Sequence, residues 1–167
     1  MKSLFLFFAL LSCLVLPAFG GEIVSIDNQG VAKFELPNDF KYERTGSFIS
    51  IEPNEKFEYR EASLFVHYNS ALAEIYEEIE DAPSFFRRTT PEAKVWTAGE
   101  SLFIIETAKN IRPDGTPLTV HKISVIADGL LFALTYQVVK GHEAGEMSLA
   151  LKKSLAPIIA SLGRLEI

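Results

Sequence analysis

The chain predicts an antiparallel α+β fold. Three features of the sequence carry that expectation: short apolar strands separated by hairpin-length turns, two segments whose apolar residues recur with helical period, and an Asp-Gly pair set between two long apolar runs. A parallel doubly wound sheet needs strand and helix in strict alternation, because each crossover takes a dozen or more residues, and the sequence does not read that way.

The first segment lies outside the fold. Lys2 precedes an apolar tract over residues 4–16, and Pro17 breaks it just before Ala18-Phe19-Gly20, which has the layout of a secretory signal with small residues at −3 and −1. The tract is too short and interrupted for a membrane anchor, which takes about 20 apolar residues. Leu10-Leu11-Ser12-Cys13 also has the form of a lipidation site. The residues after Cys13 are apolar where a polar tether is expected, which favours the cut after Gly20. The expected product is therefore periplasmic or secreted, with lipid anchoring through Cys13 as the alternative.

Cleavage after Gly20 removes the chain's single cysteine, so the mature protein has no disulfide, thiolate nucleophile or cysteine metal site. Without Lys2 it keeps 15 basic residues against 22 acidic, a net charge of −7. That balance argues against nucleic acid and anionic lipid as partners. No linker, repeat or low-complexity tract divides residues 21–167, so they are read as one domain.

Along that domain "EIVSI" and "VAKFEL" are strand candidates around the turn Asp27-Asn28-Gln29-Gly30, and Pro37 ends the second. "SFISIE" and "ASLFVHY" follow. In "NSALAEIYEEIEDAP" Leu72, Ile75, Tyr76 and Ile79 share a helical face, with Asn69 or Ser70 as cap and Pro83 marking the end. "KVWT", "SLFIIETAKNI", "TVHKISVIA" and "LLFALTYQVV" are four more strand candidates. The last segment places Met147, Leu151, Leu155, Ile158 and Leu162 on one stripe: a long C-terminal amphipathic helix, bent or divided at Pro157.

Asp128-Gly129 fixes a register. A type I′ turn needs positive φ at both central residues, and Asp-Gly supplies it. Counting outward, Val125 faces Phe132, Ile123 faces Leu134 and His121 faces Tyr136, all on one side of the sheet, because opposed residues share a face. For the preceding pair, setting Arg112 opposite Pro117 brings Glu106 to the face of His121 and Tyr136. A one-residue slip sends it to the other face, near Lys122.

Three motifs resemble the PsbP-like family: "FELPNDF" near the start, the hairpin "VIADGLLFALTYQV", and the ending "LAPIIASLGRLEI". The resemblance runs over nearly all of the mature chain. It implies an α/β/α sandwich with a central antiparallel sheet and a final short strand. Relatives include extrinsic subunits of photosystem II, envelope proteins of the DcrB type and nuclear-transport proteins that bind the Ran GTPase. Most of these roles are binding roles, and none of their functional residues matches a position here.

Chemistry is sparsely signalled. His67, His121 and His142 have no metal-ligand spacing, and there is no nucleophile elbow, phosphate loop or calcium loop. No catalytic residue, metal or cofactor is expected. The candidate ligand-binding residues are Glu106, His121, Tyr136 and His67. Phe85, Phe86, Arg87 and Arg88 form a candidate interface, since both residue types are enriched in interface cores. The expected role is a non-enzymatic binding or accessory protein of the bacterial cell envelope, PsbP-like, whose partner is another envelope protein or a small ligand. The alternatives are a small-pocket hydrolase built on Glu106, His121 and Tyr136, and a lipoprotein anchored through Cys13.

Overall fold

The computed structural model describes residues 21–26, 31–57, 61–68, 81–98 and 101–164. The expected signal segment with Cys13, the expected turn at 27–30 and residues 69–80 of the helix expected to end at Pro83 lie outside them.

The described residues form a mostly antiparallel sheet structure with two helices. The strands are β1 (Glu22–Ser25), β2 (Ala32–Leu36), β3 (Phe40–Thr45), β4 (Phe48–Pro53), β5 (Ala62–Tyr68), β6 (Lys94–Ala98), β7 (Ser101–Ile111), β8 (Pro117–Ala127), β9 (Leu130–Val139) and β10 (Gly163–Arg164). The helices are α1 (Ala82–Thr89) and α2 (Glu146–Ser161). Seven strands make one sheet in the order β3-β4-β5-β9-β8-β7-β6, and β1-β2-β10 make a smaller one.

Alternation along the strands divides the large sheet into two unlike faces. Ile51, Leu64, Val66, Phe103, Ile105, Ile123, Val125, Phe132 and Leu134 point to the main core, where Phe34 of the small sheet and Met147, Leu151, Leu155 and Ile158 of α2 meet them. On the opposite face Leu102 and Ile104 bury against Phe86 of α1, with Phe85, Val95 and Ile126 at the margin. Each fully buried large side chain stabilises the fold by about 1.5–3 kcal/mol.

The β8–β9 hairpin has the register counted from the sequence: Val125 opposes Phe132, Ile123 opposes Leu134 and His121 opposes Tyr136. Asp128 (φ 53°) and Gly129 (φ 67°) both take the left-handed conformation. The same turn receives β10. The Arg164 guanidinium Nε donates to the Asp128 carbonyl at 3.3 Å, and Gly163 lies so close to the Asp128 carboxylate that a Cβ there would stand 2.7 Å from Oδ2.

Three elements differ from the sequence reading. β3 was not anticipated: its "FKYERT" is almost wholly exposed, so neither face shows an apolar alternation. A helix not expected from the sequence follows residue 81: Pro83 sits in the first turn of α1, where the Asp81 carboxylate accepts from the Ser84 amide at 3.1 Å and caps it. α2 runs through Pro157 as one element and is not divided. The ring has no N–H to donate to the Lys153 carbonyl, and the exposed Lys153 lies on the outer side of the helix.

Candidate functional site

The main core face is apolar until it reaches His121 on β8 and Tyr136 on β9. Their rings stack at 5.8 Å between centroids and 16° between planes. Tyr136 is fully buried and His121 half-buried, so the pair marks the boundary between core and solvent.

Polar groups from three further elements close on this pair. From β7, Thr107 Oγ1 lies 3.0 Å from His121 Nδ1. From α2, Ser148 Oγ lies 2.6 Å from the Tyr136 hydroxyl, and Lys152 holds its ammonium 5.9 Å from the centre of the Tyr136 ring. From the loop before α2 comes the carbonyl oxygen of Glu143, which accepts from both Ser148 (2.8 Å) and Lys152 (2.5 Å). Because Ser148 spends its proton on that carbonyl, Tyr136 donates to Ser148.

Electrostatics follow from this burial. Desolvation, with the Lys152 charge adding to it and Glu143 opposing, holds His121 below the usual imidazole range, so the ring is neutral at pH 7. Burial pushes Tyr136 up to about 12, against the pull of its Ser148 hydrogen bond. Lys152 is lowered by burial and partly restored by Glu143. Glu143 is lowered chiefly by hydrogen bonds from its own backbone amide and that of Gly141, the latter at 3.0 Å.

The buried hydroxyls of the cluster are engaged with one another and with the backbone. Ser148 is fully buried, and its two hydrogen-bond partners are a protonated phenol and a carbonyl oxygen, neither of which takes up its proton. Lys152, His121 and Thr107 line the half-exposed rim. Among the described residues no group of three or more His, Cys, Asp or Glu side chains is placed to hold a metal.

The other candidates fall elsewhere. Glu106 opposes Lys122 because Ile111, not Arg112, faces Pro117; the slipped register puts Glu106 on the face away from His121 and Tyr136. His67 also lies on that far face, opposite Ala133, with its ring stacked on Phe48 at 4.8 Å and Nδ1 donating to the Ser47 carbonyl at 3.0 Å. It does not meet His121. Phe86 is buried and Phe85 half-buried, packed edge to face at 5.4 Å, while Arg87 and Arg88 are exposed in the last turn of α1.

Sequence reasoning missed Ser148 and Lys152. Both fall on the α2 face that carries Leu151 and Leu155, and a serine and a lysine four apart inside an apolar stripe were the available signal.

Comparison with known proteins places the architecture and little else. No family model matches the chain, and no curated protein does. Among solved structures, a protein from Bacteroides thetaiotaomicron superposes with a TM-score of 0.58 at 15% identity over 87% of this chain; the chain spans only 49% of that protein's length. The Saccharomyces cerevisiae Ran-binding protein Mog1p gives 0.44 at 12% identity, covering 87% of this chain and 95% of Mog1p. LpqN of Mycobacterium tuberculosis, involved in cell envelope biogenesis, gives 0.43 at 13% identity, covering 90% and 93%. The likeness to the Bacteroides protein is one of fold. Among the described residues no helix is long and apolar enough to cross a membrane.

Proposed function

We propose that this chain is an exported, PsbP-like binding or accessory protein of the bacterial cell envelope, released by cleavage after Gly20, with no catalytic role. The observation that carries the binding reading is the rim formed by His121, Thr107 and Lys152, where an otherwise apolar sheet face turns polar and meets solvent. Ser148, the buried hydroxyl behind that rim, has no base among its hydrogen-bond partners, which weighs against a serine nucleophile there. Export is supported by the sequence of residues 1–20.

Expression with the native N-terminus, followed by osmotic-shock fractionation and intact mass, tests the export reading. A periplasmic or secreted product starting at Gly21 is expected. A membrane-bound product with an acylated Cys13 would replace it with the lipoprotein reading, and an uncleaved cytoplasmic chain would end both. For binding, capture from native envelope extract with Lys152→Ala, Thr107→Ala and Arg87→Ala/Arg88→Ala variants separates the rim from α1 as the contacting surface. Equal capture by all of them would sink both surfaces.

A further inference from the structure

We propose that Glu35 is the seat of the mature amino terminus: the ammonium that cleavage after Gly20 creates on Gly21 forms an ion pair with the Glu35 carboxylate and locks β1, β2 and α2 together. This rests on the export reading above, which supplies the cut. In the uncut chain residue 21 has only an amide N–H, and it already donates to Glu35 Oε1 at 2.6 Å in a partly buried setting. Gly21 lies immediately ahead of β1, whose Glu22 opposes Leu36 of β2. A Cβ at residue 21 would collide with the Leu36 carbonyl oxygen and stand 2.9 Å from Glu35 Cγ. Gly21 does not take the left-handed conformation, so glycine is needed here for room rather than for backbone freedom.

The acceptor is itself fixed. The Glu35 amide donates to Ser161 Oγ at 2.7 Å, and Ser161 donates in turn to the Ile158 carbonyl at 2.9 Å, in the last turn of α2. The residue after the cut, the middle strand of the small sheet and the end of the long helix therefore meet at Glu35. Cleavage changes the donor and leaves the geometry in place. An amide with one N–H becomes an ammonium with three and a full charge, which adds the attraction of opposite charges to a bond already of the right length. Of the charged groups alongside, Glu22 favours the ammonium and Lys33, two residues back on the same face of β2, opposes it. Arg164 of β10 is turned to Asp128, and the last turn of α2 carries no basic residue, so Glu35, in contact, decides. The released chain is thus held at its first residue by an ion pair that the precursor has no ammonium to form.

Intact mass of the exported product, with thermal denaturation of two chains, tests this. One chain begins at Gly21 and the other retains Ala18-Phe19-Gly20 ahead of it. Their net charge is the same, and only the first can place its ammonium on Glu35. At pH 7 the Gly21 chain should melt about 2–4 °C higher. Glu35→Gln keeps a hydrogen-bond acceptor without the charge and should remove most of that gap. The gap should also close in alkali. Contact with a carboxylate raises the folded ammonium above its unfolded value of about 7.7–8.0, so the contribution is complete below that value and is lost as pH rises through the folded one. An exported product that does not begin at Gly21 overturns the proposal together with the export reading. A product that does begin there, with no gap between the two chains, overturns the seat alone. So does a gap that Glu35→Gln leaves intact, or one that persists unchanged in alkali.

Discussion

Ser148 accepts a 2.6 Å hydrogen bond from Tyr136 and donates one to the carbonyl of Glu143, so one buried hydroxyl ties α2, β9 and the loop between them. Removing either partner should not cost the same. Tyr136→Phe takes away a donor and leaves Ser148 bonded to the carbonyl, a loss of about 1 kcal/mol. Ser148→Ala strands the buried phenol and should cost about 1–3 kcal/mol. Urea denaturation of both variants measures the asymmetry, and a neutral Ser148→Ala would show that water reaches the pocket.

Stability should fall in acid through His121. Its folded-state pKa lies below the ordinary imidazole value, so between the two the unfolded chain binds more protons. The contribution is complete above about pH 6.5 and is lost as pH falls through the folded value. Denaturation midpoints at descending pH should show this slope, and His121→Gln should flatten it. Tyr136 gives the mirror case: the folded phenol ionises only near pH 12, so its contribution disappears as pH climbs from about 10 toward 12.

Gly145, ahead of α2, is pressed against the carboxylate of Glu61, whose other oxygen lies 3.1 Å from His142 Nδ1. A methyl group at Gly145 would overlap Glu61 Oε2. Gly145→Ala should therefore destabilise by about 1–3 kcal/mol, and Glu61→Ala in the same chain should recover part of that. A double-mutant cycle with strictly additive losses would mean the strain lies elsewhere.

At the β8–β9 turn, Gly129→Ala forces a Cβ into the left-handed region at a cost of about 1–2 kcal/mol. Asp128→Gly keeps that backbone comfortable but loses the carboxylate that accepts from the Arg164 amide at 3.4 Å. Thermal denaturation should rank Gly129→Ala as the more damaging of the two.

Phe86 and its arginine neighbours should separate cleanly. Phe86→Ala opens the cluster under α1 and should cost about 3–5 kcal/mol. Arg87→Ala and Arg88→Ala, both exposed, should stay within about 0.5 kcal/mol. Calorimetry of the three variants decides it; arginine losses as large as that of Phe86 would place the guanidinium groups in the core.

How much of this was legible depended on how tightly local chemistry fixed each element. The β8–β9 register was readable residue by residue, because an Asp-Gly turn between apolar runs leaves one way to count. The β7–β8 register was not. Its connection closes with the Arg112 amide donating to the Thr116 carbonyl at 2.9 Å, so Ile111 rather than Arg112 faces Pro117. Arg-Pro-Asp-Gly-Thr-Pro offers two ways to turn, and a one-residue difference moved Glu106 across the sheet. β3 was invisible because an exposed edge strand has no buried face to write into the sequence. Ser148 and Lys152 were hidden by the helix itself, since their meeting with Tyr136 depends on how α2 lies on the sheet.

β2 is held on one side by β1, a few residues earlier, and on the other by β10 at residues 163–164. Among the described residues, the first and last strands thus flank the same ribbon. As the chain is synthesised, that ribbon stays half-finished until residues 163–164 have emerged. Closure of the small sheet is timed by the arrival of β10, and a chain lacking residues 163–164 would keep an open seam along β2.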